Sequence, residues 1–137
     1  MAMNPIRGGC LCGCVKFEVK PEFFAFKYCF CSRCRKRSGT VHAANLFTRE
    51  ENFRWIAGQD NVAQYTEPET GKIRNSFCGT CGSRLPRVTP RGAVIPAGSL
   101  DDDPGMQPQH CIYWDSRATW LPLPTDLPKL PEAAPAP

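Results

Sequence analysis

The sequence predicts a mainly β fold: a single small domain of stacked antiparallel sheets, cross-linked through its cysteines. Three observations carry that expectation. Short segments rich in Val, Ile, Phe and Tyr recur between Gly, Pro, Asn and Asp turn signals, the pattern of many short strands. No window of about 11 residues or more sustains a helical hydrophobic period. The 137 residues include 9 Cys and 14 Pro, a composition that favours cross-links and irregular connections over long regular elements.

Taken in order, Val15 to Lys20 alternates apolar and polar residues, which puts Val15, Phe17 and Val19 on a core face, and Pro21 ends the strand. Phe23 to Tyr28 is a second, aromatic-rich run leading into Cys29. Val41–Phe47, Phe53–Ile56, Val62–Thr66 and Lys72–Phe77 follow, separated by turns such as residues 57–61 and 67–71. Arg87-Val88, Ala93–Ile95 and Ile112–Trp114 complete the strand set. One helical turn is expected after Cys34, capped by Ser32. From Pro122 onward six prolines fall in the last sixteen residues, so the end of the chain can neither pair in a sheet nor form a helix. The expected division is an N-terminal extension at 1–7, a folded domain at 8–130 and a Pro/Ala-rich tail at 131–137.

The first residues reach the cysteines without the apolar stretch of a signal peptide, and no later stretch approaches the ~20 apolar residues of a membrane helix. A cytoplasmic location is therefore expected. Thiols stay reduced there, and an odd count at short spacing reads as metal ligands rather than disulfides. The net charge of +4 is mild and concentrates in Arg33, Arg35, Lys36 and Arg37, which suggests a small anionic partner. There is no long basic stripe or aromatic-interleaved basic motif of the kind that binds nucleic acid.

Four thiolates around zinc must converge from separate chain segments, usually as two close pairs. Cys78-Gly79-Thr80-Cys81-Gly82 is a zinc-knuckle spacing, and Cys10-Leu11-Cys12 is its natural partner, its two cysteines pointing the same way in an extended segment. Cys14 is expected to face outward without a ligand role, too far from Cys10 to share its metal comfortably. Cys29, Cys31 and Cys34 offer three thiolates from one segment. A catalytic zinc has three protein ligands and an open fourth position; the alternative is a closed structural site completed by His42, His110, Cys14 or Cys111. Arg33, Arg35, Lys36 and Arg37 would favour thiolate over thiol and receive a substrate carboxylate.

These motifs resemble the glutathione-dependent formaldehyde-activating enzymes, the group that also includes vertebrate centromere protein V. The resemblance runs through Gly9-Cys10-Leu11-Cys12-Gly13, then Cys29-Phe30-Cys31-Ser32-Arg33-Cys34-Arg35-Lys36 with Ser38-Gly39, then Phe77-Cys78-Gly79-Thr80-Cys81-Gly82. It continues in Gly98-Ser99-Leu100-Asp101, His110 and Trp120, and departs from the pattern at Leu11, Cys14 and Cys111. It implies a β-tent domain holding two zinc ions, a structural one on Cys10, Cys12, Cys78 and Cys81 and a catalytic one on Cys29, Cys31 and Cys34, with Arg33, Arg35 and Lys36 as substrate-binding residues. The activity it implies is that of a carbon–sulfur lyase joining a small thiol such as glutathione to an aldehyde such as formaldehyde, or cleaving the adduct. A non-catalytic zinc module binding protein or nucleic acid is the rival expectation.

Overall fold

The computed structural model describes residues 4–121 and 127–134. In chain order its elements are β1 (Ile6–Gly9), β2 (Lys16–Val19), β3 (Ala25–Cys29), α1 (Ser32–Ser38), β4 (Ala43–Thr48), β5 (Phe53–Ala57), β6 (Val62–Thr66), β7 (Ile73–Cys78), β8 (Arg87–Thr89), β9 (Gly92–Pro96) and β10 (His110–Ile112), with short 3-10 turns between several of them. Three sheets result, ordered β1-β2-β5, β10-β3-β4-β9-β8 and β6-β7. All pairings are antiparallel except β10 with β3. The mainly β, stacked-sheet architecture is as expected.

Alternation explains which faces meet. Val15, Phe17 and Val19 are each 0% exposed, whereas Lys16 faces solvent. Phe17 packs on Phe53, with ring centroids 5.4 Å apart, and edge-on to Trp55. From the larger sheet Phe26, Leu46, Ala93 and Ile95 join Val15, Phe17, Cys78 and Leu85 in one core. Burying a side chain such as Leu46 or Ile95 contributes about 1.5–3 kcal/mol. Two buried polar side chains pair inside this frame: Thr48 donates to the Glu22 carbonyl at 2.9 Å and accepts from Asn52 at 2.9 Å.

Some boundaries differ from expectation. β1 begins inside the segment read as an N-terminal extension; Ile6 is 8% exposed and pairs with Val19, an assignment that four residues ending in Gly-Gly do not advertise. Helix α1 has seven residues rather than one turn, and its N-cap is Cys31, whose Sγ accepts the Cys34 N–H at 3.3 Å. Ser32 is instead the first helical residue. Gly39, at φ 67°, closes the helix by donating to the Arg35 carbonyl, a conformation glycine adopts without a Cβ penalty. The last strand is His110–Ile112, because Tyr113 turns to φ 56° and leads into a 3-10 turn at Trp114–Ser116. Of the Pro-rich end, residues 127–134 are exposed with no strand or helix; Pro122, Pro124, Pro135 and Pro137 lie outside the described residues. Among the described residues, no helix is long and apolar enough to cross a membrane.

Candidate metal centres

The β1–β2 connection and the end of β7 build the first centre. Cys10 donates to the Val15 carbonyl and Gly13 to the Cys10 carbonyl, both at 3.1 Å, so residues 10–15 form a tight turn rather than an extended run. That turn, not strand alternation, brings Cys10 and Cys12 together. The knuckle after β7 closes through Gly82 N–H to the Cys78 carbonyl at 2.9 Å. The sulfurs of Cys10, Cys12, Cys78 and Cys81 all lie within 4.8 Å of one another. Cys10 and Cys12 Sγ are 3.6 Å apart, Cys12 and Cys78 3.9 Å. Four thiolates at ~2.3 Å from a zinc would sit about 3.8 Å apart, so the donor set and its spacing fit that ion.

Cys14 is exposed as expected, yet it is not remote. Its Sγ lies 3.3 Å from Cys12 Sγ and 3.5 Å from Cys78 Sγ, because the turn folds it back along the cluster. Asn61 Nδ2 donates to Cys14 Sγ at 3.2 Å and to Cys78 Sγ at 3.5 Å. Contacts with Cys12 foremost, then Cys78, hold the Cys14 thiol down at about 7. The Ser83 side chain and backbone do the same for Cys81, down to about 5, and Ser83 Oγ also accepts the Leu11 N–H at 3.0 Å. Asn61 and Ser83 escaped the sequence reading. The signal for Asn61 lay in the β6–β7 hairpin, whose register sets Val62 opposite Cys78.

The second centre lies where β3 ends and α1 begins. Cys29, Cys31 and Cys34 are all buried, their sulfurs within 4.8 Å of one another. Ala43 and Ile112 pack around them. Burial pushes the Cys29 thiol up to about 12. Burial opposes ionisation of Cys31 as well, but the Cys34 N–H and the neighbouring sulfurs outweigh it and lower its value. Arg37 Nη2 donates to Cys34 Sγ at 3.2 Å. Three sulfurs with cationic and N–H donors around them again suit a divalent, thiophilic ion.

None of the residues weighed as a fourth ligand joins this group among the described residues. Cys14 belongs beside the first centre, and Cys111 is exposed on β10. His110 is exposed too. His42 stacks on Tyr28 with centroids 4.1 Å apart, its Nδ1 3.2 Å from the Ala43 carbonyl. Asp101 and Leu100 serve the fold, through Asp101 N–H to the Arg7 carbonyl at 2.8 Å and a bridge between Gly8 and Leu100. Trp120 is 57% exposed.

The basic residues after Cys31 divide. Arg33 and Lys36 line a cleft of about 410 Å³ with Arg37, Tyr65, Glu67 and Arg74. Arg35 turns the other way, its Nη2 donating to the Ser116 carbonyl at 3.3 Å. A larger cleft of about 540 Å³ is lined by Ser38, Thr40, His42, Ala43 and Arg84, among others. It borders the second centre through Ala43, which packs against the three sulfurs.

Comparison with known proteins places this arrangement. The family described as glutathione-dependent formaldehyde-activating enzyme matches residues 5–116. A protein of Halomonas elongata, provisionally named a glutathione-dependent formaldehyde-activating enzyme, is 26% identical over 124 residues, covering 85% of this chain and 79% of its own. A crystal structure of a Rhodobacter sphaeroides protein is similar at 27% identity with a TM-score of 0.54, across 77% of this chain and 98% of that one. The family pattern thus spans both cysteine clusters and the strands that bring them together, and the chain belongs to the glutathione-dependent formaldehyde-activating enzyme family.

Proposed function

We propose that this chain is a zinc-dependent carbon–sulfur lyase that joins a small glutathione-like thiol to a small aldehyde such as formaldehyde, or cleaves the adduct. Family membership supports the reaction class. The observation that carries the site is the group of three buried thiols, Cys29, Cys31 and Cys34, which no fourth His, Cys, Asp or Glu completes among the described residues. Cys10, Cys12, Cys78 and Cys81 would hold a second, structural zinc.

Bound at the three-cysteine site, zinc would favour the thiolate over the thiol and needs no redox change to do so. The chain's own groups shape that environment. Cys34 N–H donates to Cys31 Sγ and Arg37 Nη2 to Cys34 Sγ, and the Cys34 N–H and neighbouring sulfurs lower the Cys31 thiol despite its burial. Ala43 and Ile112 exclude water from one side, which strengthens each of those interactions. Addition forms one S–C bond, converts the carbonyl to a hydroxyl that takes up the thiol's proton, and is redox-neutral in both directions.

The test is exchange spectroscopy on ¹³C-formaldehyde and glutathione at equilibrium. The zinc-loaded protein should accelerate exchange between free aldehyde and S-hydroxymethyl adduct. Cys31→Ala should return it to the uncatalysed rate while retaining the metal of the other centre. Unchanged exchange, with a cobalt-substituted second site blind to glutathione, would sink this reading.

A further inference from the structure

Four arginines meet behind the three-thiol centre, and only one has a carboxylate. Arg74 pairs with Glu67 at 2.8 Å. Arg37, Arg84 and Arg87 pair with no Asp or Glu among the described residues. Arg37 is held by the Arg74 carbonyl and by Cys34 Sγ, and Arg87 Nη1 donates to the Ile73 carbonyl at 3.2 Å. Arg84 Nε and Arg37 Nε are buried with no hydrogen-bond partner among the described residues. Burial foremost, then the charge of Arg37, depresses both Arg84 and Arg87 to about 10, while the Cys34 thiol pulls the other way on each. Crowded cations without counter-ions cost stability unless something else neutralises them.

The thiols do so only in part. Three thiolates around a divalent ion carry one net negative charge, and the three unpaired arginines exceed it by two. A thiol that arrives as thiolate and carries a carboxylate supplies two negative charges. Arg84 lines the 540 Å³ cleft together with Ser38, Thr40, His42 and Ser83, so a ligand in that cleft lies against its side chain. Arginine's planar fork suits a carboxylate bidentately.

Building on the proposed thiol chemistry, we infer that Arg84, backed by Arg37 and Arg87, is the receptor for the substrate's carboxylate and selects carboxylate-bearing thiols over neutral ones. The selecting residues are thus contributed by the segment after the zinc knuckle, in addition to the basic run on α1. Arg84 acts on the part of the substrate remote from the reacting sulfur, whose binding energy serves both affinity and the chemical step; a thiol titration reads the affinity.

The experiment uses the full chain with cobalt in the second centre and follows its thiolate absorption during titration with glutathione and, separately, with 2-mercaptoethanol. Wild type should bind glutathione more tightly. Arg84→Gln should weaken glutathione about ten- to hundred-fold, the range for a lost charge-assisted hydrogen bond, and leave 2-mercaptoethanol unchanged. Arg84→Lys should recover part of the loss, and Arg87→Gln should act in the same direction. An unaltered cobalt spectrum in the thiol-free variants certifies the fold. If wild type binds both thiols equally, or Arg84→Gln weakens both alike, the receptor assignment is overturned while the thiol site stands. If neither thiol perturbs cobalt, the proposed function fails and this inference with it.

Discussion

Gly8 shows how narrow the tolerances are near the first centre. A Cβ there would lie 2.5 Å from both Phe17 Cζ and the Ser99 carbonyl oxygen. Neither can retreat, since Phe17 is fully buried and Ser99 belongs to the turn leading to the Gly8–Leu100 bridge. Gly8→Ala should therefore cost about 1–3 kcal/mol, the range for overpacking, read by denaturant unfolding of the zinc-loaded protein. A loss under a few tenths of that would mean the strand edge moves freely. At Gly8 it is this close approach that demands glycine.

At the scale of elements, the β6–β7 hairpin carries the one carboxylate of the arginine group. The Thr70 side chain first, and the Arg74 guanidinium second, hold the Glu67 carboxyl below its usual value. A group depressed in the folded state contributes stability above its unfolded value of about 4.3, and that contribution disappears as pH falls through the folded value. Glu67→Gln should consequently lower the melting temperature at neutral pH and narrow its deficit against the parent as pH drops below about 4. Parallel melting curves across that interval would show that Glu67 does not couple folding to protons. The same hairpin sets Asn61 beside the knuckle and Arg74 beside Arg37, so one short element serves both centres.

Across the whole molecule the two thiol groups play different mechanical parts. Cys10 and Cys12 are 66 or more residues from Cys78 and Cys81 along the chain, so a metal there closes a long loop and couples folding to binding. The Cys29 group spans one strand end and one helix start, and its metal closes almost no loop. Titration with a chelator should remove this second metal first with the sheet circular dichroism retained, then the other with cooperative unfolding. Cys78→Ser should lose one metal equivalent and melt well below the parent, whereas Cys34→Ser should lose one equivalent with a smaller drop. The reverse order of release would overturn the division of roles.

Much of this was legible in the chain itself. Alternation at Val15, Phe17 and Val19, turn signals and cysteine spacing suffice for the mainly β class, most strands and the two thiol groups, because period-two patterning and ligand spacing are local properties. β1 was hidden because Ile6–Gly9 carries one large apolar residue, and its pairing depends on β2 and Leu100. Cys14 was misplaced because an extended reach was assumed where backbone hydrogen bonds make a turn. Arg84 and Arg87 could not be joined to Cys34 from the sequence: 50 residues separate Arg84 from Cys34, and only the tertiary structure brings their charges to bear on one another and on that thiol; Asn61 likewise meets Cys14 and Cys78 only through the fold.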